Sequence, residues 1–248
     1  MSKKRVVSID VNTGRYSSFV ERIVALARMG ISSYVCVANV HMVVEAHNDC
    51  EFAAIVNGAD LVTPDGMPLA KSMWLLHGIT QERVAGMDLV PDLIAAAERD
   101  GLSVFIYGST EIVLDAVLKR IERDYPGLRV SGAYSPPFRQ LSHDEDNSVV
   151  TRINNSGSNI VLVALGCPKQ EMWMAAKRGQ INAVMVGIGG ALPVYAGLQR
   201  RAPQFMQRLS LEWFYRLLQE PRRLFKRYLI TNSTFLYLLA RSYLLVKK

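Results

Sequence analysis

The chain has 248 residues, half of them hydrophobic, which is enough to bury a sizeable core and excludes a disordered protein. Its three cysteines, Cys36, Cys50 and Cys167, include no CxxC pair, which argues against a disulfide framework and a zinc site. The first residues, MSKKRVVSIDVNTG, lack the apolar core of a secretory signal, which predicts a cytoplasmic protein.

The formal net charge of +7 is concentrated in one part of the chain. Residues 196–248 hold eleven Lys and Arg against two acids, whereas the other residues hold 18 against 20. This asymmetry predicts a local anionic partner, which could be a phosphate group, an anionic membrane surface or nucleic acid. No RRM, KH or other nucleic-acid motif accompanies the charge, so we expect no nucleic-acid partner.

Short apolar runs alternate along the chain with longer stretches of helical period. The runs are RVVSID, SYVCVA, DLVTP, LSVFIYG, NIVLVALG and AVMVGIGG, and the helical stretches are FVERIVALARMG, HMVVEAHNDCEFAAIV, EIVLDAVLKRIERDY and PKQEMWMAAKRG. This order predicts an α/β fold with a largely parallel, Rossmann-like sheet covered by helices on both faces. Ligands of such sheets bind outside the carboxyl ends of the strands, so polar residues after each run are the site candidates.

We place a boundary near Ala196, which divides a body (residues 1–195) from a C-terminal appendage (residues 196–248). Apolar residues in the appendage recur at helical spacing with arginines between them, a basic amphipathic pattern. Pro221 predicts a helix start, hence two short helices with a bend and then a third segment. The longest uncharged stretch, residues 228–240, is shorter than the roughly twenty apolar residues that a membrane span requires.

Asp65 stands between Pro64 and Gly66, in the stretch TPDGMPLA at the end of an apolar run. The proline and the glycine together predict a rigid, sharply turned backbone. One interpretation is that Asp65 forms an Asx-turn or caps the following helix. The other is that its carboxylate is a general base. The residues alone leave both open.

Three further stretches end apolar runs. In ALGCPKQE, Gln170 lies at a predicted helix start with Pro168 at the first helical position, where it either reads a sugar or uracil edge or is an ordinary N-terminal polar residue. In YGSTE, Gly108 and Ser109 form either a phosphate or ribose contact or a simple helix cap. GIGGAL departs from the dinucleotide fingerprint at Leu192, which argues against a nicotinamide cofactor.

The acidic stretch Asp144-Glu145-Asp146 has the spacing of a divalent-metal motif but lies in the polar run SHDEDNS, which favours a solvated helix start. The four histidines show no paired-ligand spacing, and we assign none to catalysis. We therefore expect neither a metal nor a cofactor.

Taken together, the motifs resemble the bacterial WecG/TagA/CpsF glycosyltransferases, glycosyltransferase family 26, over nearly the whole chain. The motifs that carry the resemblance are VANVHMVVEA, TPDGMPLA, RVAGMDLVPDL, VFIYGS, GAYSPPF, VALGCPKQE, GIGGALPVYAG and RAPQFMQRLSLEWFYRLLQEPRRLFKRYL. Each is weak alone, and their joint order is highly specific.

The resemblance implies a GT-E-type fold and an inverting, metal-independent hexosyl-, N-acetylhexosaminyl- or uronosyltransferase. Such an enzyme moves a sugar from a UDP-sugar to a polyprenyl-diphosphate-linked saccharide, for an exopolysaccharide, capsule, teichoic acid or enterobacterial-type antigen. It also implies a cytoplasmic protein peripheral on the inner face of the plasma membrane, with the appendage as active-site lid and docking element for an anionic membrane, and a homo-oligomer.

Carried onto this sequence, the resemblance makes Asp65 the catalytic base. It implies a substrate pocket formed by Asn39, Thr63, Gly66, Gly108, Ser109, Tyr134, Gln170, Gly189 and Gly190. It implies that appendage arginines neutralise the UDP diphosphate, namely Arg201, Arg208, Arg216, Arg222 and Arg223.

This chain departs from the family pattern at two positions. Val37 replaces the threonine two residues before Asn39, and Pro193 stands where many members carry an aspartate. We expect both differences to bear on the donor sugar more than on the reaction. A non-catalytic UDP-sugar-binding or scaffold protein at the membrane is the alternative hypothesis, and it predicts that loss of the Asp65 carboxylate spares the protein's role.

Overall fold

The computed structural model describes residues 1–209 and 211–246, except for the side chains at positions 208, 223 and 246. The described strands are β1 (Lys3–Val6), β2 (Ile9–Asn12), β3 (Ser33–Ala38), β4 (Leu61–Pro64), β5 (Ser103–Gly108), β6 (Arg129–Tyr134), β7 (Ile160–Ala164) and β8 (Val184–Gly187). The helices of the body are α1 (Tyr16–Met29), α2 (Val40–Asn48), α3 (Cys50–Asn57), α4 (Met67–His77), α5 (Gly86–Arg99), α6 (Glu111–Asp124), α7 (His143–Asn155), α8 (Lys169–Ala176) and α9 (Leu192–Tyr195), with a 3-10 turn at Gly189–Ala191.

Six strands form one parallel sheet in the order β4-β3-β8-β7-β5-β6, which confirms the predicted fold class. The helices cover both faces, and each face has its own apolar core. Helices α1, α5, α6 and α9 contribute to one core, whereas α2, α3, α4 and α8 contribute to the other. The carboxyl ends of β4, β3, β8 and β7 therefore lie side by side at one edge, where ligands of parallel sheets bind.

The first apolar run, RVVSID, does not form a strand of this sheet. The chain reverses at Val7, which has φ of 57°, so that β1 and β2 pair as an antiparallel hairpin with Val6 opposite Ile9. Both of these side chains are buried. The prediction was wrong because a hairpin that buries both of its arms has the same apolar pattern as one strand.

Two more elements differ from the prediction. The helical stretch of residues 41–56 is divided at Asp49, whose carboxylate accepts hydrogen bonds from Glu51 N and Phe52 N at 2.9 and 3.0 Å and so caps α3. The edge strand β6 has no counterpart in the predicted runs, because its sequence RVSGAY is interrupted by serine and glycine. Pro168 precedes α8 as its N-cap, one residue before the predicted position.

The appendage forms α10 (Gln204–Arg208), α11 (Glu212–Gln219) and α12 (Pro221–Val246). Pro221 begins a helix as predicted, but α12 is one continuous helix of 26 residues, and the break predicted within it is absent from the described residues. One stripe of α12, with Leu224, Phe235 and Leu238 buried, packs against the side of the body formed by α2 and α4. None of the described helices combines the length and the apolar character needed to cross a membrane.

Candidate active site

A cavity of about 330 Å³ lies at the carboxyl ends of the strands, between the body and the appendage. Its size falls within the range of small-molecule sites. The body contributes the ends of β3, β4 and β8 and the start of α8, and the appendage contributes residues of α10, α11 and α12. Seven of the residues predicted from the sequence line this cavity, namely Asn39, Asp65, Gly66, Gln170, Gly189, Gly190 and Arg216.

Asp65 follows β4 directly, and its backbone N–H donates to Ala38 O on the neighbouring strand at 2.7 Å. Gly66 has φ of 92°, a conformation that favours glycine, and it is the N-cap of α4. The Asp65 carboxylate does not cap that helix, and it has no hydrogen-bond partner among the described residues. The structure thus argues against the cap interpretation and leaves a carboxylate that faces the cavity.

Burial raises the pKa of Asp65 to about 7, and the nearby Glu212 carboxylate adds to the effect. The guanidinium groups of Arg83 and Arg216 act in the opposite direction. Near neutral pH, the carboxyl group is therefore divided between its two forms. A general base whose pKa lies near the working pH is ionised in a large fraction of the molecules and still accepts a proton readily.

Thr63 lies behind the cavity wall, not in it. It is fully buried, and its hydroxyl donates to Val84 O at 3.3 Å, while Val84 N donates to Pro64 O at 2.9 Å. These two bonds fix the loop before α5 against β4. They place Arg83 on the cavity wall beside Asp65. The structural role of Thr63 is therefore to hold the loop that positions Arg83.

Asn39 follows β3 and caps α2, because its side-chain oxygen accepts from Met42 N at 3.2 Å. This bond leaves the amide N–H₂ group of Asn39 as a donor at the cavity. Val37, the first departure from the family pattern, also lines the cavity and presents methyl groups where a threonine would present a hydroxyl.

Gln170 joins two loops of the cavity floor. Its oxygen accepts from Gly166 N at 3.2 Å and from Gly189 N at 3.1 Å, and its amide nitrogen donates to Glu171 at 2.7 Å. Glu171 is fully buried, and burial raises the pKa of its carboxyl group to about 7. One N–H of Gln170 remains for a ligand, whereas its oxygen is already used by the protein.

Arg216 reaches the cavity from α11 and packs against Gly190. A Cβ atom at position 190 would lie 2.9 Å from Arg216 Nη2, so the glycine makes room for the guanidinium group. Arg227 and Tyr228 of α12 also line the cavity, with the guanidinium 5.5 Å from the tyrosine ring centroid. Neither arginine forms an ion pair with a carboxylate in the part of the chain that the structure describes.

The third cavity arginine, Arg83, is paired with two carboxylates. Its guanidinium contacts Asp88 at 2.8 Å and Glu212 at 2.5 Å, and it donates to Gln207 at 3.3 Å. No role of Arg83, Glu212 or Arg227 at the site was predicted from the sequence. A signal for Glu212 was available, because it is one of two acids in a strongly basic segment.

Several predicted site residues lie outside the cavity lining. Gly108 and Ser109 end β5, Ser109 O accepts from Ser135 at 2.8 Å, and Thr110 caps α6. Tyr134 stacks on Tyr107, with ring centroids 6.3 Å apart. These residues lie towards the β5-β6 side of the sheet, and their contact with substrate stays a prediction.

The other predicted arginines divide into three groups. Arg201 is paired with Asp88 at 2.5 Å, which directs it to the body and not to the cavity. Arg222 is exposed and does not line the cavity. The side chains of Arg208 and Arg223 lie outside the described residues.

The acidic stretch begins α7 as predicted. Ser142 and Glu145 form a capping box, in which each side chain accepts a hydrogen bond from the other residue's backbone. Among the described residues, no group of three or more His, Cys, Asp or Glu side chains is arranged to hold a metal ion. His41 lines the cavity, and burial lowers its pKa, which favours the neutral imidazole.

Comparison with known proteins identifies the family. A model of the glycosyl transferase WecG/TagA/CpsF family matches residues 4–248. The chain belongs to this family of glycosyltransferases.

Curated relatives in this family cover most of the chain. A protein of Bacillus spizizenii is 32% identical over 225 residues, which are 90% of this chain and 86% of the relative. A protein of Bacillus subtilis is 32% identical over 78% of this chain and 74% of its own length, and one of Staphylococcus aureus is 30% identical over 87% and 82%. All three are named N-acetylglucosaminyldiphosphoundecaprenol N-acetyl-beta-D-mannosaminyltransferase.

Proposed function

We propose that this WecG/TagA/CpsF glycosyltransferase transfers a sugar, with inversion and without a metal, from a UDP-sugar to a polyprenyl-diphosphate-linked saccharide. The product is an intermediate of a bacterial cell-surface polysaccharide. The observation that carries the proposal is the Asp65 carboxylate, which has no hydrogen-bond partner among the described residues and faces a cavity that Arg216 and Arg227 also line.

Asp65 is the base in this proposal. Its carboxylate accepts the proton of the acceptor hydroxyl as that oxygen attacks the anomeric carbon of the donor. The new carbon–oxygen bond forms while the bond to the diphosphate breaks, and UDP leaves with the electron pair. A single displacement of this kind inverts the anomeric centre, so an α-linked donor gives a β-linked product.

Arg216 and Arg227 stabilise the leaving group. Negative charge grows on the diphosphate as UDP departs, and cations placed where that charge develops lower the barrier. Guanidinium groups suit this role because they bind phosphate oxygens in a bidentate way. Arg83 has less charge to offer, since Asp88 and Glu212 already neutralise it.

The names of the relatives indicate which substrates to test first. Their names specify transfer of an N-acetyl-β-D-mannosaminyl group to N-acetylglucosaminyl-diphosphoundecaprenol. UDP-N-acetylmannosamine is therefore the first donor for this chain, and undecaprenyl-diphosphate-linked N-acetylglucosamine is the first acceptor.

The appendage is suited to an anionic membrane surface, where a lipid-linked acceptor resides. On α12, large apolar side chains that face away from the body are more than half exposed, including Phe225, Leu229 and Leu236. Arg222 and Lys226 are exposed on the same helix. Apolar and basic groups together favour binding to an anionic bilayer, and we propose that the enzyme is peripheral on its cytoplasmic face.

The test is UDP release by the purified chain, across a panel of UDP-sugars, with the lipid-linked acceptor in detergent and with or without EDTA. We expect release that requires one donor and the acceptor, that survives EDTA, and that falls by about 10²–10⁴-fold in Asp65→Asn. Asp115→Asn, at an exposed position on α6, is the control carboxylate. UDP binding without release from any donor would instead support the non-catalytic alternative.

A further inference from the structure

The appendage contacts the cavity through an acid as well as through arginines. Glu212 begins α11, and its carboxylate lies 2.5 Å from Arg83 Nη1, although 129 residues separate the two in sequence. Both side chains are largely buried, with 14% of Arg83 and 19% of Glu212 exposed. Because little solvent reaches this pair, its charges are weakly screened. Removing one partner therefore costs more free energy than it would at an open surface.

The ion pair is the centre of a wider contact between appendage and body. Asp88 of α5 accepts from both Arg83 and Arg201, and Gln207 of α10 accepts from Arg83 at 3.3 Å. Gln207 also donates to Ala202 O at 2.7 Å. Three residues of the appendage, Glu212, Gln207 and Arg201, thus all bind one body pair, Arg83 and Asp88.

Glu212 is also a charge beside the base. Asp65 experiences Glu212 and Arg216 from α11, Arg83 from the loop before α5, and Asp88 from α5. His41 from α2, whose pKa is lowered by burial, and Arg227 from α12 line the same cavity. Within the described part of the appendage, Glu212 is the acid that lines the cavity, and Glu220 does not line it.

We propose that Glu212 is a positioning residue for the reaction: through its ion pair with Arg83 it docks the appendage over the cavity, and it places a negative charge beside Asp65. The inference rests on the proposed function of Asp65. The appendage then has a second role besides supplying cations, because Glu212 changes the proton affinity of Asp65.

The direction of the effect follows from electrostatics. A negative neighbour disfavours ionisation of a carboxyl group and raises its pKa, as Glu212 does for Asp65. Replacing Glu212 by glutamine removes that charge and also leaves Arg83, a cation that favours the ionised form of Asp65, paired with Asp88 but no longer with Glu212. Both changes lower the pKa of Asp65, so the acidic limb of the pH–rate profile moves to lower pH.

The experiment compares Glu212→Gln with Glu220→Gln, the same substitution at the other acid of the appendage, where the side chain accepts from Gln199 at 3.0 Å. The acidic limb of kcat/KM should move down by about half to one pH unit in Glu212→Gln and stay in place in Glu220→Gln. The titration of Asp65, followed by carbon NMR of its labelled carboxyl group without substrate, should move by the same amount.

The two readouts separate the inference from the proposed function. If no donor is turned over, the NMR titration alone decides, and a shift confined to Glu212→Gln supports the electrostatic coupling even though the reaction proposal has failed. If turnover is present but neither the limb nor the titration moves in Glu212→Gln, the inference is overturned. An equal shift in Glu220→Gln would also overturn it, because the effect would then follow overall charge.

Discussion

The body and the appendage line the same cavity in different ways. Gln170 and Asn39, which the body contributes, are fixed by hydrogen bonds to backbone groups, and Thr63 fixes the loop that carries Arg83. The appendage contributes Arg216 and Arg227, which have no carboxylate partner in the described chain and which rest against a glycine and a tyrosine.

The contrast indicates that the body and the appendage have different roles in the proposed reaction. Groups that must be aligned to within a fraction of an ångström are best held by a rigid scaffold, whereas the charge of a cation acts on a diphosphate over a longer distance. In the proposed mechanism, the body therefore determines where the acceptor hydroxyl meets its base. The appendage supplies the cations that compensate the charge on the leaving group, and the ion pair of Arg83 with Glu212 connects the two regions.

The largest loss of activity should come from removing Arg216 and Arg227, the appendage arginines that have no carboxylate partner in the described chain. In Arg216→Ala/Arg227→Ala, we expect kcat/KM to fall by about 10²-fold or more, because the charge that develops on UDP is no longer stabilised. Steady-state UDP release measures the loss. Arg222→Ala, an exposed arginine of the same helix as Arg227, is the control; an equal loss there would indicate a general effect of net charge.

A second substitution affects the rigidity of the body. Gln170→Ala removes the side chain that joins the loops at Gly166 and Gly189 and leaves the carboxyl group of Glu171 without its amide partner. We expect the free energy of unfolding to fall by about 1–3 kcal/mol, measured in urea. Gln140→Ala, in an exposed loop, should leave the stability unchanged. Equal stability of the two variants would contradict the role of Gln170 as a clamp.

A smaller change tests the contact between the two regions. Gly190 has φ of −78°, so alanine is compatible with its backbone, but the new Cβ would displace the guanidinium of Arg216. Gly190→Ala should fold normally and lose activity by about threefold to tenfold, as for a modest misplacement of one cation. If activity in Gly190→Ala matched that of the wild type, the position of Arg216 against this loop would not matter.

The smallest effect is a gain in stability. The pKa of Asp65 is raised in the folded state to about 7 from an ordinary 3.8, so folding loses stability as the pH rises between these values. Asparagine does not ionise. Asp65→Asn should therefore melt several °C above the wild type at pH 8, and at nearly the same temperature near pH 4. A difference that does not depend on pH would have another origin than ionisation.

The sequence predicted much of the body and less of the appendage's role. The parallel sheet followed from apolar runs, and the position of Asp65 at a strand end followed from its neighbours Pro64 and Gly66. The hairpin was missed because two buried arms have the pattern of one strand. The pair of Arg83 and Glu212 could not be predicted, since no local pattern relates residues 129 positions apart.

The same limit applies to the appendage arginines. Arg216 lines the cavity, but charge alone did not separate it from Arg201 and Arg222 in the sequence. The fold makes the distinction, because Asp88 engages Arg201 and the exposed side of α12 carries Arg222. Which arginine faces a ligand depends on how α11 and α12 pack on the body.

The central claim, a base from the body and cations from the appendage, is tested most directly by calorimetric titration of UDP into three proteins. The proteins are the wild type, Asp65→Asn and Arg216→Ala/Arg227→Ala. We predict that Asp65→Asn, although impaired in turnover, binds UDP at least as tightly as the wild type, and that the double variant binds about tenfold or more weakly. Weakened UDP binding in Asp65→Asn together with unchanged binding in the double variant would contradict the account.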